Sequence, residues 1–304
     1  MMKLSELSKS GLVDSDVRLV RDGEFAALGY VTHKINTRPF LAFAGAQGFL
    51  EKALGNSLVS CILTTPDLAD RVPDTVGVVT SRDPMRTFYD LHHKLIDETD
   101  FYWKEFETVI EPGAVISPDA RIAKKNVRIG AGSIIEEGAI IKEKTIIGRD
   151  CVIRSNCVVG SEGFEYKRFD DKLVLIRHAQ GVEIRDGAQI HAGCMFDKGL
   201  FGDPTSVGEG SCLDNLVHVA HGVQIGRNVI IAANVVFAAA VVVRDGARID
   251  PNATIAHEKV IGEGAYVSLG AVVTKDVPPN TKVSGNFAYE HNRFLRNIIQ
   301  AARD

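Results

Sequence analysis

From Val207 to Val273 every sixth residue is apolar: Val207, Leu213, Val219, Ile225, Ile231, Phe237, Val243, Ile249, Ile255, Ile261, Val267 and Val273. A spacing of six fits neither the 3.6-residue turn of a helix nor the two-residue alternation of a simple strand. It fits a parallel β-helix, in which one short repeat forms one side of a coil and three repeats close it. The apolar residue of each repeat points to the axis and stacks on its counterpart three repeats away. No coil buries its own apolar face, so many must stack. Gly, Asn, Asp and Ala crowd the positions between, as in Ile225-Gly-Arg-Asn-Val-Ile, where tight corners need small or φ-permissive residues.

The same pattern begins earlier, at Ile116 and Ile122. One extra residue follows, and the phase resumes at Ile129, Ile135, Ile141, Ile147, Ile153 and Val159. Residues 161–180 break it, and the Asp170-Asp171 pair between apolar arms predicts an excursion hairpin. Phase returns at Ile184, Ile190 and Phe196. A smaller insertion, Asp197 to Thr205, leads into the long block. A loop carried on a rigid scaffold is where binding residues concentrate.

Residues 1–104 lack the period. Leu4 to Leu12, Gln47 to Leu54 and Asp83 to Leu95 predict helices, the last with Met85, Phe88, Leu91 and Leu95 on one face. Val17 to Arg21, Phe40 to Ala44, Ser60 to Thr65 and Val76 to Thr80 predict strands. Alternation of this kind predicts a small α/β domain, with Phe101-Tyr-Trp packing it on the repeat domain. The expected division is therefore 1–104, an α/β domain; 105–278, the β-helix with its insertion loop at 161–180; and 279–304, a helical extension. In that extension Phe294, Ile298 and Ile299 mark a helix over Glu290 to Ala302, a cap or an oligomer contact.

Composition narrows the function little. Apolar residues make up 45% and charged residues 24%, as in a globular protein with a large core. The net charge of −4 gives no reason to expect a nucleic-acid partner. No apolar run is long enough to span a bilayer and no signal-peptide pattern follows Met1, so no transmembrane segment is expected and the cytoplasm is the expected compartment. The five cysteines form no CxxC pair. Cys151, Cys157 and Cys194 each stand four residues after a repeat position, which predicts small buried hydrophobes at inward corners.

The candidate chemistry lies in the histidines. His221 is two residues after Val219, and His257 is two after Ile255. They are six repeats apart, which places them on one side, two coils and roughly 10 Å from each other. Ala239 lies midway between them in the sequence, one coil from each. His218 shares the rung of His221. Surface or intersubunit histidines would account for any one of these; two stacked across a small residue are harder to explain so.

The stretch Leu213-Asp-Asn-Leu-Val-His-Val-Ala-His-Gly-Val-Gln-Ile-Gly resembles UDP-3-O-acylglucosamine N-acyltransferase, a lipid A enzyme. So do Val158-Val-Gly-Ser-Glu-Gly-Phe-Glu-Tyr, Phe196-Asp-Lys-Gly, Phe40-Leu-Ala-Phe and Asp83-Pro-Met-Arg-Thr-Phe, in the same order along nearly the whole chain. The resemblance implies a mainly β fold: a left-handed parallel β-helix of hexapeptide repeats, an exception to right-handed crossovers, with a small N-terminal α/β domain and a C-terminal helix. It implies a homotrimer with sites between subunits. His221 matches the catalytic base. Ala239 matches a glycine whose backbone N–H holds the oxyanion. His257 lies near a second active-site histidine, one residue out of register. Asp214 and Asn215 match positions lining the sugar site. Phe43 matches an aromatic of the uracil site, and Phe49 stands where the family has tyrosine. Ala46-Gln47 replaces a usual Asn-Pro, which departs from the family's uridine pocket.

The implied activity is N-acylation of a nucleotide-linked amino sugar, in lipid A, lipopolysaccharide or other surface-polysaccharide synthesis. No tightly bound cofactor and no metal are expected. The acyl group arrives as a thioester of acyl carrier protein or coenzyme A. A neutral imidazole suits deprotonation of an attacking amine near pH 7, and a backbone N–H suits the tetrahedral intermediate. Asp197 is a candidate to orient His221, and His218 a candidate substrate contact. Two other readings stand beside this one: a non-catalytic nucleotide-sugar-binding or scaffold protein, and a γ-carbonic-anhydrase-like zinc hydratase using His191, His218 and His221.

Overall fold

The structure is a computed structural model, and it describes residues 1–32, 37–285, 290–293, 296 and 300. Most of the chain is a prism of three parallel sheets, of eight, eight and nine strands. Consecutive strands go to different sheets, and each sheet is built from every third strand, as a left-handed parallel β-helix requires. In the long block the register advances by three repeats per coil, as in Leu213 beside Ile231 and Ile231 beside Ile249. Most strands are two residues long, the first facing out and the second in. The inward column, Ile129 through Val273, forms one continuous core in which most members are fully buried. Each such side chain contributes roughly 1.5–3 kcal/mol by leaving water.

The corners obey backbone sterics. Asn126, Asp150, Asn156, Asn228, Asn234 and Asn252 all take φ between 52° and 61°, the left-handed region that asparagine and aspartate tolerate best. Asn126 also absorbs the extra residue after Ile122: its Oδ1 accepts the Phe106 N–H at 3.0 Å. Cys151, Cys157 and Cys194 are fully buried, and each thiol reaches a backbone carbonyl of the next coil at 3.0 or 3.1 Å.

The prism starts earlier and ends later than the periodicity indicates. Val109–Ile110 pairs with Arg128 and Ile129, and Lys282–Val283 pairs with Tyr266 and Val267. Both end strands are more exposed than the core, so the apolar signal there is thin.

The N-terminal region carries a five-stranded sheet in the order Arg18–Arg21, Gly77–Thr80, Val59–Thr64, Phe40–Ala44, Ala27–Leu28, parallel except for the first strand. Helix Gln47–Leu54 falls as predicted. Helix Pro84–Glu98 runs one turn further than its pattern, capped by the Asp83 carboxylate on the Arg86 N–H. The first helix is only Leu4–Leu7. Of the predicted C-terminal helix, His291–Arg293 are helical, whereas Phe294, Ile298 and Ile299 lie outside the described residues. No helix among the described residues is long and apolar enough to cross a membrane.

The two insertions of the prism join the N-terminal sheet. The excursion is a hairpin of Tyr166–Phe169 and Lys172–Leu175, with Asp170 and Asp171 at positive φ in its turn. Ile176 and Ala179 of the excursion and Leu200 and Phe201 of the second insertion are buried in the same cluster as Phe25, Leu63, Phe88 and Leu95. Phe201 packs edge-on against Tyr30 at 4.9 Å, His92 at 4.8 Å and Phe88 at 5.5 Å. His92 is a pin between the parts: its Nδ1 meets the Tyr102 hydroxyl and its Nε2 the Arg177 carbonyl, both at 2.7 Å. Burial pushes its imidazole down to about 3.

Candidate functional site

Strands His218–Val219, Val236–Phe237 and Thr254–Ile255 lie in register, with Val219 beside Phe237 and Phe237 beside Ile255. Two residues further on, at one corner of the prism, stand His221, Ala239 and His257. The corner is knitted by the Ala240 N–H on the His221 carbonyl at 3.0 Å and the Glu258 N–H on the Ala239 carbonyl at 2.9 Å. The Ala239 N–H donates to no backbone carbonyl among the described residues, so this donor is available. Ala240 takes φ 57° and Glu258 φ 59°, a backbone state that costs a non-glycine residue about 1–2 kcal/mol. His257 is exposed and His221 is buried, with 5% of its surface accessible.

What buries His221 comes from the excursion. The His178 ring lies edge-on to it, with centroids 4.8 Å apart. Glu165 places Oε2 3.8 Å from His221 Nε2. His178 is itself fixed. Its Nδ1 is 3.1 Å from Glu162 Oε1, which also accepts the His178 backbone N–H. Its Nε2 is buried with no hydrogen-bond partner among the described residues. Gly163 packs against that nitrogen so closely that a Cβ there would stand 2.5 Å away. The other oxygen of Glu162 takes Lys198 Nζ at 2.8 Å. Burial alone would raise the Glu162 carboxyl, but the hydrogen bonds from His178 and Lys198 outweigh it and hold the group at about 2.

Asp197 does not join this cluster as expected. Its carboxylate lies 3.6 Å from His218 Nε2, and this neighbouring carboxylate raises the His218 imidazole against its partial burial. The reason is local: Asp197 directly follows the inward Phe196 and so turns to the outward face, where Met195 pairs with His218. The carboxylate beside His221 is Glu165 instead.

Asp214 and Asn215 lie at the preceding corner, one face-width from His221, which is roughly 20 Å at strand rise. Asp214 Oδ1 accepts the Asn215 N–H at 2.7 Å and its side-chain amide at 2.8 Å, and Asn215 Oδ1 accepts the Ala192 N–H at 3.1 Å. His191 stands there too, 3.9 Å from Asp214. A single chain thus does not gather His191, His218 and His221, and among the described residues no three His, Cys, Asp or Glu side chains are placed to hold a metal ion.

Of the two aromatics assigned to a base pocket, Phe43 is half-buried against Phe88 at 4.9 Å and Tyr89 at 5.9 Å. Phe49 is 55% exposed on helix Gln47–Leu54, with Lys52 Nζ 5.6 Å from its ring centre. A cleft of about 530 Å³ runs along the prism on the side of Glu162, with Ile122, Ile140 and Ile141 on its floor and Arg121, Lys142 and Lys198 around it.

Sequence reasoning found the column of His221, Ala239 and His257 but not Glu162, Glu165 and His178. These three come from a segment with no period, and nothing in their spacing marks them. The one available signal was Gly163 between two acids, a residue type that permits close approach.

This geometry can be set beside known proteins. Residues 126–161 and 204–239 match the bacterial transferase hexapeptide (six repeats) family, and the second stretch contains His221 and ends at Ala239. A UDP-3-O-acylglucosamine N-acyltransferase of a Caulobacter species is 33% identical over 144 residues, 47% of this chain and 42% of that protein. The enzyme of the same name from Leptothrix cholodnii is 38% identical over 133 residues, 44% of this chain and 39% of that protein. The chain therefore matches less than half the length of these relatives. The solved structure of LpxA from Acinetobacter baumannii is similar at 25% identity with a TM-score of 0.48, covering 62% of this chain and 75% of that one. The chain carries the hexapeptide repeat and resembles the UDP-3-O-acylglucosamine N-acyltransferases.

Proposed function

We propose that the protein is an N-acyltransferase that moves an acyl group from a thioester to the amine of a nucleotide-linked amino sugar. The observation that carries this reading is the buried His221 one coil from the available Ala239 N–H, within a transferase-type repeat. His221 takes the proton from the amine as it attacks the thioester carbonyl. The Ala239 N–H donates to the oxygen as it gains charge. Collapse of the intermediate breaks the C–S bond and releases the thiol, which recovers the proton. No covalent acyl-enzyme is needed.

The N-terminal sheet, with Phe43 and Phe49, takes the nucleotide. The cleft beside Glu162 offers an apolar floor to an acyl chain. The thioester is carried by acyl carrier protein or coenzyme A, both cytoplasmic, and lipid A or another surface glycan is the destination. Asp214 and Asn215 are a face-width from His221 on one chain, so a sugar site that uses all three lies between copies. A homotrimer supplies this.

The test is a mass-spectrometric transfer assay, pairing UDP- and dTDP-amino sugars with acetyl-coenzyme A, longer acyl-coenzyme A and hydroxyacyl carrier protein. Wild type is expected to transfer to at least one acceptor, and His221→Ala to lose roughly 10²–10⁴-fold, the usual contribution of a general base. Near wild-type turnover in His221→Ala would sink the mechanism. Tight nucleotide-sugar binding without transfer would favour a binding protein.

A further inference from the structure

His221 belongs to the prism, but the contacts around it lead into the N-terminal domain. Along the excursion, Phe164 and Tyr166 are 84% and 43% exposed, while Glu165 between them turns inward. Its Oε1 takes the Tyr30 hydroxyl at 3.0 Å and Lys167 Nζ at 2.7 Å. Its Oε2 is left facing His221 Nε2 at 3.8 Å. The Tyr30 hydroxyl is also 2.7 Å from the Tyr89 hydroxyl, and Tyr89 packs on Phe43. One connected path thus runs Phe43, Tyr89, Tyr30, Glu165, His221 and crosses from one domain to the other.

We propose that Glu165 is the positioning residue for His221, and that Tyr30 holds Glu165 there, so that the N-terminal domain fixes the ring on the β-helix. The role of His221 as a base rests on the acyl-transfer reading; the positioning of its ring does not. One oxygen of Glu165 is tied down and the other aims at a single ring nitrogen, which favours the tautomer protonated at Nε2 and leaves the lone pair on Nδ1. At 3.8 Å the two atoms are too far apart for a hydrogen bond. Such contacts often tighten only when substrate binds. The carboxylate is kept ionised: burial works against this, but Lys167 above all, and Tyr30 after it, lower the Glu165 carboxyl. Also around His221 are His178 edge-on, with Glu162 and Lys198 behind it, and Lys167 behind Glu165.

The proposal is tested on the full chain by NMR of protein carrying 15N-histidine, with the His221 signals assigned from a His221→Gln variant. A nearby carboxylate favours the charged imidazole, so removing its charge lowers the titration midpoint. Glu165→Gln is expected to bring the His221 midpoint down by about 1 pH unit or more. Tyr30→Phe, which removes one oxygen and keeps the ring, is expected to move it the same way by less. Glu165→Asp is expected to restore part of the change. A His221 midpoint in Glu165→Gln that coincides with wild type overturns the proposal. The titration needs no substrate, so it decides the matter even if wild type transfers no acyl group, an outcome that would remove the acyl-transfer reading alone. Where transfer is seen, Glu165→Gln should lower kcat about 10-fold or more, and Tyr30→Phe by less, with little change in KM for the nucleotide sugar, a split that simple loss of folded protein would not give.

Discussion

At the scale of the residue, the site depends on how closely Gly163 approaches His178. A methyl group at 163 would stand 2.5 Å from His178 Nε2, inside any normal contact. The His178 ring cannot retreat freely, because Glu162 holds its other nitrogen and the His221 ring stands 4.8 Å away in an edge-on contact. Gly163→Ala is therefore expected to destabilise by about 1–3 kcal/mol through overpacking and to lower transfer as well, because the displaced ring pushes on His221. Thermal unfolding and the transfer assay, run together, check this. Unchanged melting with unchanged turnover would mean the ring has room that the structure does not show. The residues themselves were partly legible. His221, Ala239 and His257 follow from arithmetic on a period of six, since a rigid repeat fixes who stands above whom. Glu165 and His178 do not, because a hairpin outside the period obeys no such rule. The expectation for Asp197 fails because it follows the inward Phe196 and turns outward, beside His218.

At the scale of the element, the two insertions carry the shared apolar cluster that joins the domains. The β-helix was plain in the sequence because every coil repeats one simple steric demand, and its ends were blurred where Val109, Ile110 and Lys282 are exposed and the demand relaxes. The docking of the insertions on the N-terminal sheet was not plain, since it rests on contacts that share no period, such as Phe201 on Phe88 and His92 on the Arg177 carbonyl. That contact makes a prediction about pH. The His92 imidazole is held down to about 3 by burial, against an ordinary value of 6.5. A depressed value means the unfolded chain binds the proton first. The stability from neutral, buried His92 is thus fully present above pH 6.5 and is lost as pH falls toward 3. Urea unfolding of His92→Gln should show lower stability than wild type at pH 7.5 and a shallower loss between pH 6.5 and pH 4. Parallel pH curves for the two proteins would show that His92 is not the group that titrates.

At the scale of the whole molecule, one face of the prism is not suited to water. In register along it stand Ile140, Val158, Met195, His218, Val236, Thr254 and Val272, a row roughly 29 Å long at about 4.8 Å per coil. Met195, Val236 and Val272 are 43%, 39% and 59% exposed. None of these side chains is needed inside, since the alternate residues Phe196, Val219, Phe237 and Ile255 fill the core completely. Exposed apolar side chains along one face that the fold does not use mark a surface that another protein covers, and this face borders the corner where His221 lies. If copies of the chain pack here, the separation of His221 from Asp214 and Asn215 ceases to be an obstacle, because a neighbour can bring its own corner to the base. The double variant Met195→Glu, Val236→Glu separates assembly from folding: the inward residues are untouched, so circular dichroism should stay that of wild type. Light scattering should report three times the chain mass for wild type and the single chain mass for the variant, with transfer lost alongside assembly. A variant that stays trimeric would place the subunit contact on another face, and one that becomes monomeric but keeps full turnover would place the whole site within one chain.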